Sequence, residues 1–219
     1  MDVLARLDET RAAISVLEHP FYRRWSAGEL SSGELSRYAG EYRHAVLALA
    51  RTSALAAQTA DPAHVAELRG HAEEEAAHVQ LWEQFARAAG ARPPQRAGER
   101  ALAETEECVQ AWTAGEHLLE HLAVLYAIEA SQPEVSKTKL EGLTAHYGYS
   151  EEGPAVEYFT LHELRDREHA RQARALIGEL ISAVDDGEEM AERIVRRARE
   201  ALHGNWRLLD GVEGAPPSA

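Results

Sequence analysis

Lysine is almost missing from this chain. Of its 23 lysine and arginine side chains only two are lysines, Lys137 and Lys139, and both lie in the stretch SQPEVSKTKLEGL. Either the two are chance survivors of a base composition that favours arginine, or the pair marks a place that needs an amine, since a guanidinium keeps its proton at any accessible pH whereas an ammonium can lose it. Cysteine is scarcer still. Cys108 stands alone, which excludes an internal disulfide and suits a reducing cytoplasm. Long apolar runs are absent, none approaching the roughly 18 residues of a membrane span. Net positive charge is absent too, and a formal charge of -14 at pH 7 argues against a partner as anionic as a nucleic-acid backbone. The opening MDVLARLDETRAAI carries acids early and lacks the basic start and apolar core of a signal peptide. The expectation is an acidic, soluble, cytoplasmic protein with neither a nucleic-acid nor a membrane partner.

No stretch alternates apolar and polar residues for long enough to make a convincing strand, while alanine, leucine, glutamate and arginine dominate. The fold class expected is all-α, a single bundle of about seven to eight helices. Their spans read as about 2–17, 31–59, 62–90, 98–113, 115–131, 133–147, 152–183 and 186–208. SSGEL supplies a serine cap with Glu34 in the first turn, and DPAHV an aspartate cap with Pro62 as first helical residue. One domain over residues 1–210 follows, with 211–219 (GVEGAPPSA) as a disordered tail.

Three helices carry residues suited to metal chemistry. In HELRDREH, His162, Asp166 and His169 stand at i, i+4 and i+7, stacked on one stripe of about 60°. Two imidazoles flanking a carboxylate make a ligand set for a first-row metal, and apolar Phe159, Leu161 and Ile177 nearby suit an inward face. In HAEEEAAHVQLW, His71, Glu74 or Glu75, and His78 share a face, and Glu75-x-x-His78 has the spacing used in helical di-iron sites. Glu129 closes the most core-like helix, HLLEHLAVLYAIE, where an acid is costly to bury without a cation. Taken together, Glu75, His78, Glu129, His162, Asp166 and His169 offer three carboxylates and three imidazoles. Two divalent ions would leave such a set nearly neutral, with positions open for dioxygen. A rival set uses Glu41-x-x-His44 as a second E-x-x-H and gives His162 no role. His117 and His121 read as polar-face residues.

The ordered stretches LEHPFYRRWSAGELSSGELSRYAGEY, HVQLWEQFARAAG, LAVLYAIEASQPEVSKTKLEGLTAHYG and YFTLHELRDREHARQARALI cover most of residues 16–180. Through them the chain resembles the heme-oxygenase-like di-metal oxidases, related in fold to the TenA thiaminases and to the pyrroloquinoline quinone synthesis proteins. It most resembles the branch containing the chlamydial protein associating with death domains and its bacterial relatives, which make 4-aminobenzoate for folate. The resemblance implies metal ligands at Glu75, His78, Glu129, His162, Asp166 and His169. It also implies two iron ions or a manganese–iron pair, dioxygen, an external reductant and a homodimer. In this family the protein is its own substrate, so that Tyr22 would supply the aromatic ring and Lys139 the amino group, with Tyr38 and Tyr158 near the site. Two departures stand out. The family separates its first Glu and His by six residues where Glu75 and His78 are separated by two, which leaves Glu74 or His71 open as the ligand. The aromatic residue before the second Glu is Ile128 here. The alternatives are an oxidase of the same fold acting on an external amino acid or fatty acid, and a metal-free TenA-like hydrolase or binding protein. A hydrolase of that kind would need a nucleophilic cysteine, for which Cys108 is poorly placed.

Overall fold

A helix apolar all round must sit in the middle of a bundle. The segment Leu118–Glu129 is such a helix, buried at every residue from Leu119 onward. The computed structural model describes residues 2–92 and 100–215, and among these it contains helices and no strand. In chain order the helices are α1 (Val3–Ala13), α2 (Pro20–Ala27), α3 (Ser32–Thr59), α4 (Val65–Ala88), α5 (Ala103–Thr113), α6 (Leu118–Glu129), α7 (Gln132–His146), α8 (Glu157–Ile181) and α9 (Gly187–Gly214). A 3-10 turn, Val16–Glu18, precedes α2. The central α6 is walled by α3, α8 and α9, while α4 pairs with α3 and α7 lies across α8 and α2. The architecture is the all-α bundle that the composition implies.

Several limits differ from the sequence reading. The first helix stops at Ala13, and α2 stands where no helix is expected. Its signal is local: His19 accepts a hydrogen bond from the Phe21 amide at 3.0 Å, and Pro20 takes the first helical position. The helix expected from residue 62 begins at Val65, because Asp61 holds a turn, accepting from the Ala63 amide at 3.0 Å. The capping box of Ser31 and Glu34 does start α3. At the far end α9 continues to Gly214, so residues 211–214 are helical and not the start of a tail. The apolar stripe through Leu208, Leu209 and Val212 carries the helix past Gly211. Residues 98–99 and 216–219, which fall in the expected fourth helix and tail, lie outside the described residues.

One glycine positions the interior directly. A Cβ at Gly142 would stand 2.5 Å from Cδ1 and 2.6 Å from Nε1 of Trp25. The bare backbone lets that indole lie flat on α7 and donate to the Lys139 carbonyl at 3.1 Å. Gly142→Ala is expected to destabilise by about 1–3 kcal/mol in urea unfolding, since Trp25 is fully buried and has nowhere to shift. Wild-type stability in that variant would mean the contact is slack.

Candidate metal centre

The face of α4 carrying His71, Glu75 and His78 meets the α8 face carrying His162, Asp166 and His169, with Glu129 of α6 between them. Among the described residues two groups of donor atoms could each hold an ion. One is His71, Glu75, Glu129 and His169; the other is Glu75, His78 and His162, with the donors of each group all within 4.8 Å of one another. Glu75 belongs to both. Two donors on one first-row ion at ~2.1 Å each stand at most about 4.2 Å apart, so only a few tenths of an ångström of closure are needed.

Hydrogen bonds decide which atom each imidazole presents. His162 Nδ1–H donates to the Tyr158 carbonyl at 2.7 Å, leaving Nε2 buried and without a partner. His169 Nε2 lies 3.2 Å from Glu74 Oε2, so Nδ1 faces inward, 3.8 Å from Glu75 and 3.7 Å from Asp166. Outer carboxylates of this kind fix the tautomer of metal-binding histidines. Glu74 therefore stands outside the centre, half in solvent and held by Arg165 at 2.5 Å, while Glu75 is buried against His78 Nδ1 at 2.9 Å.

The carboxylates make the strongest case for a cation. Glu129 is 0% exposed and sits at the C-terminal end of α6, where the helix dipole is negative; His71 Nε2 is 2.9 Å from its Oε1, and its Oε2 makes no hydrogen bond. Both oxygens of Asp166 are buried and unpartnered. Burial, then the charges of Glu129 and Glu75, push the Asp166 carboxyl well above its ordinary range. Burial also pushes Glu75 up, but the His78 hydrogen bond, with the imidazoles around it, outweighs it and holds it down. An uncompensated buried charge costs several kcal/mol, and three carboxylates packed together with lone pairs turned inward are stable only with positive charge among them. Burial lowers His162 to about 4, so its imidazole is neutral and fit to bind metal. The donors thus fit a pair of divalent ions.

A second feature adjoins the first. Lys139 is 0% exposed and its Nζ has no hydrogen-bond partner. It sits among rings, 4.6 Å from the centroid of Tyr42, 5.4 Å from Tyr38, 5.5 Å from Phe159, 5.6 Å from Tyr22 and 5.8 Å from Trp82. Burial lowers its pKa from 10.5 to about 7. The Tyr22 and Tyr38 hydroxyls are 3.1 Å apart, and burial raises both phenols well above their usual range. Tyr158 links the two features: its ring stacks on His162 at 4.0 Å and meets Trp82 edge-on at 4.9 Å. Lys137, two residues away, is exposed and faces Glu141.

The remaining candidates fall elsewhere. Glu41 accepts from the Leu102 amide, and His44 shares an outer cleft with Arg92 and Arg100, so the rival E-x-x-H pair does not reach the centre. His121 is buried and not on a polar face, since α6 has no polar face at that level; His117 is exposed. Cys108 is buried in α5, its thiol pushed far up by desolvation, the reverse of an activated nucleophile. Sequence reasoning passed over Tyr42 and Trp82. The i, i+4 spacing of Tyr38 and Tyr42 was the available signal.

Residues 36–206 match the family described as iron-containing redox enzymes. The chain is 34% identical to the 4-aminobenzoate synthase of Chlamydia muridarum, over 96% of this chain and 89% of that protein. It is 29% identical to the 4-aminobenzoate synthase of Nitrosomonas europaea, over 90% and 85%. Among solved structures, a TenA homologue from Pseudomonas syringae superimposes with a TM-score of 0.82 at 15% identity, covering 97% of this chain and 91% of that one. A heme-oxygenase-like domain from Shewanella denitrificans gives 0.77 at 17%, covering 98% and 95%. At such identities these structures bear on the fold alone, which is heme-oxygenase-like.

Proposed function

The chain belongs to the family of iron-containing redox enzymes, and from that premise we propose that it makes 4-aminobenzoate, taking the ring from its own Tyr22 and the nitrogen from its own Lys139. The observation that carries this reading is the state of Lys139. A lysine amine fully buried among tyrosines, without a carboxylate, is a poor structural element and a good nitrogen donor. With its pKa near 7 a large share of the amine is neutral at physiological pH, with its lone pair free.

The bound ions, two irons or manganese with iron, would supply activation of dioxygen with electrons from an external reductant. Glu75, Glu129, Asp166, His78, His162 and His169 would hold them. Tyr22 losing an electron must also lose its phenolic proton; the Tyr38 hydroxyl at 3.1 Å is placed to relay it, passing on its own proton as it takes one, with the neutral Lys139 amine, 5.4 Å from the Tyr38 ring, as the base in the cage. Trp25, Tyr42, Trp82 and Phe159 close the cage so that the amine meets rings and not water. Tyr158 stands between the cage and His162, in contact with Trp82 on one side and His162 on the other.

The test loads metal-free protein with iron, with and without manganese, then adds reductant and oxygen. The expected result is 4-aminobenzoate at no more than one equivalent, with the Tyr22 and Lys139 peptides altered in mass. Tyr22→Phe is expected to bind metal and consume oxygen without forming product. Oxygen consumption with both peptides intact would instead favour an oxidase of external amino or fatty acids, with the cage as part of its pocket.

A further inference from the structure

We propose that His71 is itself a metal ligand, so that the outer ion is held by two imidazoles and two carboxylates: His71, His169, Glu75 and Glu129. The inference rests on the di-metal reading of this centre and adds a ligand to the six already named.

His71 faces two buried carboxylates at once. Its Nε2 lies 2.9 Å from Glu129 Oε1 and 4.0 Å from Glu75 Oε1. The 2.9 Å approach leaves Glu129 Oε2 without a hydrogen bond. His71, Glu75, Glu129 and His169 bring one donor atom each to within 4.8 Å of one another, as donors around an ion do. The His169 ring stands beside that of His71, centroids 4.2 Å apart and planes tilted by 44°.

Position in the fold supplies a second reason. His71 and His169 lie at the bottom of a narrow cleft between α4 and α8, of about 20 Å³, whose walls include Glu67, Leu122 and Gln172. The cleft has room for about one water. His78 and His162 pack together, their rings 4.6 Å apart, and His162 stacks on Tyr158 beside the aromatic cage. The two ions would therefore differ in surroundings. The inner one meets only protein, and the outer one, held by His71, borders a path to solvent. On α4, His71, Glu75 and His78 fall at i, i+4 and i+7, so one helix face serves both ions through the shared Glu75.

The experiment counts ions in the whole chain. Metal-free protein is titrated with Co2+ and with Mn2+, following bound metal after dialysis and the magnetic coupling of the Mn2+ pair. Wild type is expected to bind two coupled ions. His71→Ala is expected to keep one ion and to bind the other more than about tenfold more weakly, the least loss seen when even an outer partner of a metal ligand is removed. Its Mn2+ signal would become that of an isolated ion. His71→Glu, which restores an oxygen donor of similar reach, should recover the second ion, whereas a partner serving only to neutralise Glu129 would not be replaced by another acid. His78→Ala should weaken the other ion, leaving that bordering the cleft. Circular dichroism of each metal-free variant checks that the helices persist. Two ions bound by His71→Ala with wild-type affinity and coupling overturn the role of His71 while leaving the di-metal centre standing. Fewer than two ions in wild type overturn the di-metal reading and this inference with it.

Discussion

Replacing Lys139 by Met is expected to make the metal-free protein more stable and leave it without product. A fall in pKa from 10.5 in the unfolded chain to about 7 in the fold means that the folded state binds this proton poorly. Between those values the unfolded chain carries more protons, so stability rises with pH across the window from 7 to 10.5. Below about pH 7 the full cost applies, on the order of 5 kcal/mol for 3.5 units. Replacing even a buried ion pair with apolar side chains of similar volume recovers about 1–4 kcal/mol in other proteins, and Lys139 has no partner whose loss would offset the gain. A gain of about 3 kcal/mol at pH 6.5 is therefore expected for Lys139→Met, read from urea midpoints, and it should shrink toward zero as pH approaches 10. Lys139→Arg should behave oppositely on stability, since arginine cannot shed its proton to suit the cage. Both variants should be silent for 4-aminobenzoate. A Met variant no more stable than the parent would show that some group neutralises the amine, and the case for a residue retained against stability would go with it.

The residues that made the fold legible are those whose pattern is local. The capping box at Ser31 announces α3, and the run from Leu119 to Ile128 announces a helix surrounded on all sides. What the sequence concealed depends on contacts between distant segments. The eight residues of α2 are too few to show a full apolar period, and they gain their order by packing Phe21, Tyr22 and Trp25 into the bundle. The centre divides in the same way. Spacing on α8 sets His162, Asp166 and His169 on one stripe, which periodicity alone reveals. Whether Glu74 or Glu75 turns inward depends on Arg165 and His169 of another helix, which claim Glu74 at the surface. Scarcity of lysine pointed to residues 137 and 139 together; only the packing of α7 against Trp25 separates an exposed side chain from a caged one.

Glu75 offers the other large effect. Its Oε1 lies 2.9 Å from His78 Nδ1, 3.8 Å from His169 Nδ1 and 4.0 Å from His71 Nε2, so a single oxygen faces donors from both groups. Ligands belonging to one group affect one ion, whereas a shared carboxylate affects both. Glu75→Gln keeps the shape and removes the charge, and it is expected to weaken both ions by more than about 100-fold. The readout is thermal. Metal at 100 times its dissociation constant stabilises by about 2.7 kcal/mol per site, a rise of several degrees in Tm for wild type. In Glu75→Gln that rise should vanish at the same concentration, while His162→Ala should retain part of it through the outer ion. Metal-free Glu75→Gln should not fall far below wild type, because the substitution also removes one of two charges that push the Asp166 carboxyl upward. If Glu75→Gln instead keeps half of the metal-induced rise, Glu75 serves one ion only. Asp166, whose unpartnered oxygens lie within reach of His169, would then be the carboxylate that joins the pair.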